Sequence, residues 1–455
     1  MSRTRPRPLL AVAAWLIATS ATVITTPAQA QQSLAELYHA ARGHDSTYQS
    51  ALAQYQADLA GAAQTRAGLL PYVSLDAEAS RARDERYGPR ATVNGAEENA
   101  GITATQPLYR PANVATYEQG LRRIDAAQAV LAEVDQDLIV RVSQAYFEAL
   151  ASLDSLTFVR AQKAAVAEQL ASAKRHFEVG TTTVTDSREA QAQYDLVLAE
   201  EIAAENTWRV RQLALAQLTG LPAAEPITLA RPITLPTLEA RDPSVLVAQA
   251  QQAHPRIRQA EMARDSAELE TRKAEAGRLP TVDASVGYLM THVRNGNTLS
   301  SPNRRHEATV ALTFSLPLYA GGAIQNRLRE TLALQDKAGI DLEGVRRQTE
   351  QDVRTALLNQ RANTSRVRAL EAAEASSQSA LEANQLGYEV GVRINIDVLN
   401  AQSQLYQTKR DLAQARYDVL LGELQLRQAA GDLSEDDLIR LDAQLRAATA
   451  SPATR

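Results

Sequence analysis

Apolar and polar positions alternate along this chain with two different periods, and each period occurs twice. Val73, Leu75, Ala77 and Ala79 interleave with Ser74, Asp76, Glu78 and Ser80. Ala100, Ile102 and Ala104 interleave with Gly101, Thr103 and Thr105. The same alternation returns in 282–291 and 308–316. A period of two predicts strands with one apolar and one polar face. We place them at about 72–81, 99–108, 281–292 and 306–317. Each is about ten residues, the length of a membrane-spanning strand. The stretches between them, 82–97 and 293–305, are rich in Arg, Asn, Gly and Pro and predict polar loops. Alternation alone fits a half-buried soluble sheet equally well.

The second period is helical. Leu121, Ile124, Leu131, Val134, Leu138, Val142, Ala145, Ala149, Leu153 and Leu156 keep three-four spacing. This predicts a proline-free helix over about 113–178, with a counterpart over 322–389. Each would be about 100 Å long at 1.5 Å per residue. Shorter helices are expected at about 187–219 and 397–430. Two further helices are expected at about 33–69 and 244–278, stopped by Pro71 and Pro280.

The chain is therefore a duplication. Ala67–Pro71 returns at 276–280, Pro107-Leu108-Tyr109 at 317–319, and Phe177–Gly180 as Tyr388–Gly391. Gly220 matches Gly431. All four anchors recur in order about 210 residues later. The halves span 31–220 and 244–431. Between them, 221–243 carries Pro222, Pro226, Pro232, Pro236 and Pro243 and reads as an extended linker. Residues 432–455 read as a C-terminal tail, polar and unstructured beyond about Arg446.

The first thirty residues read as a signal peptide. Arg3, Arg5 and Arg7 precede an apolar run from Leu9 to about Ile24, and Ala28-Gln29-Ala30 is a small-residue cleavage site. No later segment has the ~20 consecutive apolar residues of a membrane helix. Any membrane crossing must then be made by strands, and four strands cannot close a barrel by themselves. Two copies would give eight strands and three would give twelve.

Composition narrows the function. Charges balance, 48 Lys+Arg against 53 Asp+Glu, which argues against a nucleic-acid partner. There is no cysteine, so thiol chemistry and an N-terminal lipid anchor on cysteine are excluded. The six histidines, His39, His44, His176, His254, His292 and His306, show no metal-like spacing. No phosphate-binding glycine loop or nucleophile elbow occurs. No enzyme and no cofactor is expected.

Signal peptide, duplication, paired strands and very long helices together resemble the TolC family of outer-membrane export ducts. The most specific stretches are Phe177–Gly180 through Thr185-Asp186, Tyr388–Gly391 through 397–401, and 431–438. The resemblance implies a mainly α fold with membrane β: a homotrimer with a twelve-stranded outer-membrane barrel and a helical tunnel across the periplasm. It implies a periplasmic adaptor and an inner-membrane pump, ABC or proton-driven, as partners, and proteins or small molecules as cargo. The missing N-terminal cysteine is closer to the type I secretion branch than to lipidated efflux members. The alternative is a secreted helical structural or adhesive protein without a pore.

The same resemblance selects candidate site residues. Gly180 and Gly391 would permit the tight helix reversals at the periplasmic end. Tyr388 and Arg393 match the family's latch, Thr185 and Asp186 its acceptors, and Asp397 an inward acidic ring. Asn400 stands where a second acidic ring is common. A plainer reading is that Thr185, Asp186 and Asp397 cap the following helices.

Overall fold

Helices and strands follow one another in the same order in both halves of the chain. The computed structural model describes residues 32–85, 92–180, 182–222, 242–294 and 303–450. The expected signal peptide and most of the proline-rich linker lie outside the described residues.

The first half begins with α1 (Leu34–His44) and α2 (Ser46–Thr65), followed by a single 3-10 turn, Arg66–Leu69. Strands β1 (Tyr72–Glu85) and β2 (Thr92–Tyr109) come next, then α3 (Pro111–Glu178) and α4 (Val184–Thr219). The second half repeats this with α5 (Pro243–Ala253), α6 (Pro255–Ala276), β3 (Thr281–Arg294), β4 (Asn303–Ser315), α7 (Ala323–Glu389) and α8 (Asn395–Ala430). A last helix, α9 (Glu435–Ala450), closes the chain. Among the described residues no helix is long and apolar enough to cross a membrane.

Three features differ from the sequence expectations. Each leading helix is two helices. Asp45 ends α1 and caps α2, accepting the Tyr48 N–H at 2.8 Å. His254 does the same between α5 and α6, with Pro255 at the first helical position, where a missing N–H costs nothing. These breaks let the leading segments bend along the long helices. Gly220 and Gly431, the left-handed caps of α4 and α8, sit directly against His44 and His254.

The strands are also longer than expected and the loops shorter. Residues 81–85 pair with 92–96, and 292–293 pair with 303–304. A ladder of polar residues can extend past an apolar band because its backbone groups satisfy one another.

Finally, the tail contains α9. Leu438, Leu441 and Leu445 join Leu34, Leu37, Leu138, Ile139 and Tyr146 in the largest core cluster. Asp437 accepts from the Ser434 N–H (3.0 Å) and from Arg427 (2.8 Å), and also pairs with Arg440. The Leu34 N–H donates to Asp442 at 3.0 Å. The end of the chain thus ties its beginning into the midsection of α3.

The sheet is antiparallel with order β1-β2-β3-β4. Directly opposed residues share a face. One face presents Val73, Leu75, Ile102, Val286, Tyr288, Val310, Leu312 and Phe314, all exposed to solvent in the single chain. Leu75 is 77% and Val310 is 83% accessible. The other face carries Asp76, Glu78, Asn99, Thr103, Ser285, Glu307 and Thr309 around a shallow concavity. Between Pro107 and Tyr109 the register shifts, at a proline that has no N–H to donate to the ladder.

Candidate functional site

Long helices end where the chain supplies a residue that tolerates a left-handed backbone. Gly180 (φ 75°) follows α3 and Gly391 (φ 77°) follows α7. In the second turn, the Val392 and Arg393 N–H groups both donate to the Gly387 carbonyl (2.9 and 3.0 Å), closing the last turn of the helix. Gly387 is itself buried, and the Arg393 side chain crosses it so closely that a β-carbon there would lie 2.6 Å from Arg393 Cγ. Arg393 is thereby directed along α8, with Nη1 3.7 Å from an Asp397 oxygen.

The start of α4 is a capping box. Thr183 is the N-cap; its Oγ accepts the Asp186 N–H (3.3 Å), and Asp186 Oδ2 accepts the Thr183 N–H (3.1 Å). Such an arrangement satisfies two backbone donors that the helix leaves unpaired. Thr185 and Asp186 therefore lie within the first turn, and the capping position expected of them belongs to Thr183. Thr185 is exposed. The N-cap of α8 is Ile394, which offers no side-chain acceptor. Asp397 sits in that first turn, where its charge favours the exposed N–H groups.

Between the two turns lies a residue that periodicity did not single out. Asn395 is fully buried. Its Oδ1 accepts from Gln169 Nε2 on α3 (2.6 Å), and its Nδ2 donates to the Asp186 carbonyl on α4 (3.3 Å). One side chain thus joins the two helical hairpins at their tips. Ile396 and Leu399 pack beside it against Val166, Leu170 and Val197. A polar residue directly before Ile396 and Val398, near the start of a helix, was the available signal.

Tyr388 packs with Leu381, Val398 and Leu405. Its hydroxyl is buried and has no hydrogen-bond partner among the described residues. Burial, and then the nearby Asp186 carboxylate, raise its pKa. The single chain therefore brings Tyr388, Asp186 and Asn395 together and pairs Arg393 with Asp397. Asn400 is exposed on α8, and Thr185 makes no side-chain hydrogen bond among the described residues.

Comparison with known proteins agrees with this architecture. The family model for outer membrane efflux proteins matches residues 37–221 and again 246–432, once per half. The chain is 34% identical over 418 residues to outer membrane protein TolC of Vibrio cholerae, covering 92% of this chain and 94% of that one. It is 30% identical to proteases secretion protein PrtF of Dickeya chrysanthemi, with 84% of each chain covered. In fold it is similar to the MtrE outer membrane channel of Neisseria gonorrhoeae, solved in its open state. That match has TM-score 0.73 at 20% identity and covers 88% of this chain and 90% of that one. The chain belongs to the outer membrane efflux protein family.

Proposed function

We propose that this chain is one subunit of a homotrimeric outer-membrane channel whose helices form a periplasmic tunnel. It exports proteins or small molecules handed over by a periplasmic adaptor and an inner-membrane pump. The observation that carries the reading is the open sheet. Its apolar face is exposed along all four strands, its opposite face is polar and concave, and β1 and β4 are edges. Exposed flat edges are normally blocked or covered. A barrel made from three copies removes them by pairing β4 of one subunit with β1 of the next, and puts the apolar face on lipid. Relatives named for the outer membrane and for protease secretion support the location and the class of task.

The same reading assigns the tips a gate. Tyr388 and Arg393 of one coiled coil meet Thr185 and Asp186 of the neighbouring one, while Asp397 and Asn400 ring the opening. Two features support it: the Tyr388 hydroxyl is left unsatisfied within one chain, and Arg393 is more than half exposed. An exposed Arg–carboxylate pair contributes only about 0.2–1 kcal/mol. A few such pairs can hold the tips closed and yield when an adaptor and pump bind the open form better. Three Asp397 carboxylates in one constriction would favour cations.

The native chain lacks cysteine, so introduced pairs report cleanly. With Cys at Asp76 on β1 and a second Cys scanned through Thr309, Ala311 and Thr313 on β4, one register should yield covalent trimers under oxidation. Only monomers at every register would overturn the barrel.

A further inference from the structure

The outward face of the sheet does not stay apolar to its tips. On β3 the apolar positions end at Met290, eight steps beyond Val282, a span of about 26 Å at ~3.3 Å per residue. Past that point the same face turns basic. Met290 lies opposite His306. One rung further, Glu98, His292 and Arg304 lie in a row; beyond that, Arg81 and Arg294 flank Ala96. By alternation all of these side chains project to the side that carries Leu75, Val286 and Val310.

Their contacts organise the row. Arg294 donates to Glu98 at 3.1 Å, and His292 lies 3.7 Å from the same oxygen. His306 Nδ1 and the Tyr288 hydroxyl share a hydrogen bond of 3.0 Å, tying the rim to the last aromatic of the apolar band. Among the described residues this end of the face carries three guanidinium groups, two imidazoles and one carboxylate, and Arg294 and His292 face that carboxylate. The row lies at the hairpin tips, the end of the sheet away from α3 and α7. Arg294 and Arg304 are diagonal neighbours on adjacent strands, ~7–8 Å apart at the backbone, which leaves two side chains of this length within reach of one tetrahedral anion.

We propose that this rim binds the phosphate groups of a phosphorylated glycolipid in the outer leaflet. The proposal rests on the outer-membrane reading above. Guanidinium forks match phosphate oxygens bidentately. The rim is continuous with an apolar band that would hold the acyl chains of the same molecule, which favours a lipid over a free anion. A basic row immediately outside an apolar span is also how anionic headgroups are commonly recognised.

The test is lipid retention by the full-length oligomer in phosphatidylcholine nanodiscs doped with lipid A, a bisphosphorylated acylated diglucosamine, read by native mass spectrometry. The wild type should retain lipid A and discriminate against its dephosphorylated form. Replacing Arg81, Arg294 and Arg304 together by Gln should weaken retention roughly five-fold per arginine, on the order of a hundred-fold in all. The triple Lys variant should keep most of it. Equal retention of the dephosphorylated lipid, unchanged affinity in the Gln variant, or displacement by millimolar inorganic phosphate would overturn the proposal. Single-channel current in pure phosphatidylcholine separates the two levels. Normal current without lipid preference removes the rim site alone, whereas no current from any preparation removes the channel reading beneath it.

Discussion

His254 shows how much a single side chain can set. It ends α5, caps α6 through Nδ1 on the Arg256 N–H (3.2 Å), and backs onto Gly431. Burial first, then the Arg256 charge, lowers its pKa; Glu133 and Asp352 oppose this. The neutral ring is the form that can accept the capping bond. Its contribution is complete above the unfolded value of about 6.5 and is lost as pH falls through the lower folded value. The protection factor of the Arg256 amide, with exchange normalised to the intrinsic rate at each pH, should therefore fall in acid by an amount corresponding to about 1 kcal/mol of cap. His254→Asn, which caps without titrating there, should abolish that acid dependence. A wild-type profile identical to the variant's would remove the histidine from this role. At this scale the sequence was only partly legible. Gly180 and Gly391 were recognisable because only a left-handed residue ends such helices cheaply. Asn395 was not, because its partners Gln169 and the Asp186 carbonyl come from the other half of the chain.

Among the elements, α3 was plain from three-four spacing over a long proline-free run, α7 as its proline-free counterpart in the duplication, and the strands from strict alternation. Their ends were harder to place. The strands continue through residues whose polarity suggested loops, since ladder pairing does not require apolar side chains. The breaks at Asp45 and at His254-Pro255 were written in the sequence as an N-cap residue and a proline, but the apolar pattern runs across both. Helix α9 was lost in a polar tail, although Leu438, Leu441 and Leu445 keep helical spacing. It is a structural clamp on the core that α1, α3 and α8 share. Leu438→Ala should cost about 2–5 kcal/mol through the cavity it leaves, read as a lower denaturation midpoint and faster proteolysis near α1. If stability is unchanged, α9 does not hold the chain's two ends together.

At the scale of the molecule, one chain is incomplete in a consistent way. Its sheet has two unpaired edges and an uncovered apolar face. Helix α4 turns Leu196, Ile202, Val210 and Leu213 outward, and nothing among the described residues covers them. Two hairpin tips lie side by side, joined through Asn395, with a tyrosine hydroxyl left unsatisfied between them. Three copies would close the sheet, give α4 a neighbour and surround one opening with six tips. Duplication accounts for the pseudo-equivalence of the tips. Divergence between the copies, with Thr185 and Asp186 in one and Tyr388 and Arg393 in the other, allows a latch between unlike partners. The most direct measurement is single-channel current through the purified oligomer in a planar bilayer. Basal conductance should be small and should rise severalfold when Asp186→Asn and Arg393→Ser are combined. A wild type and double variant that never conduct would contradict it.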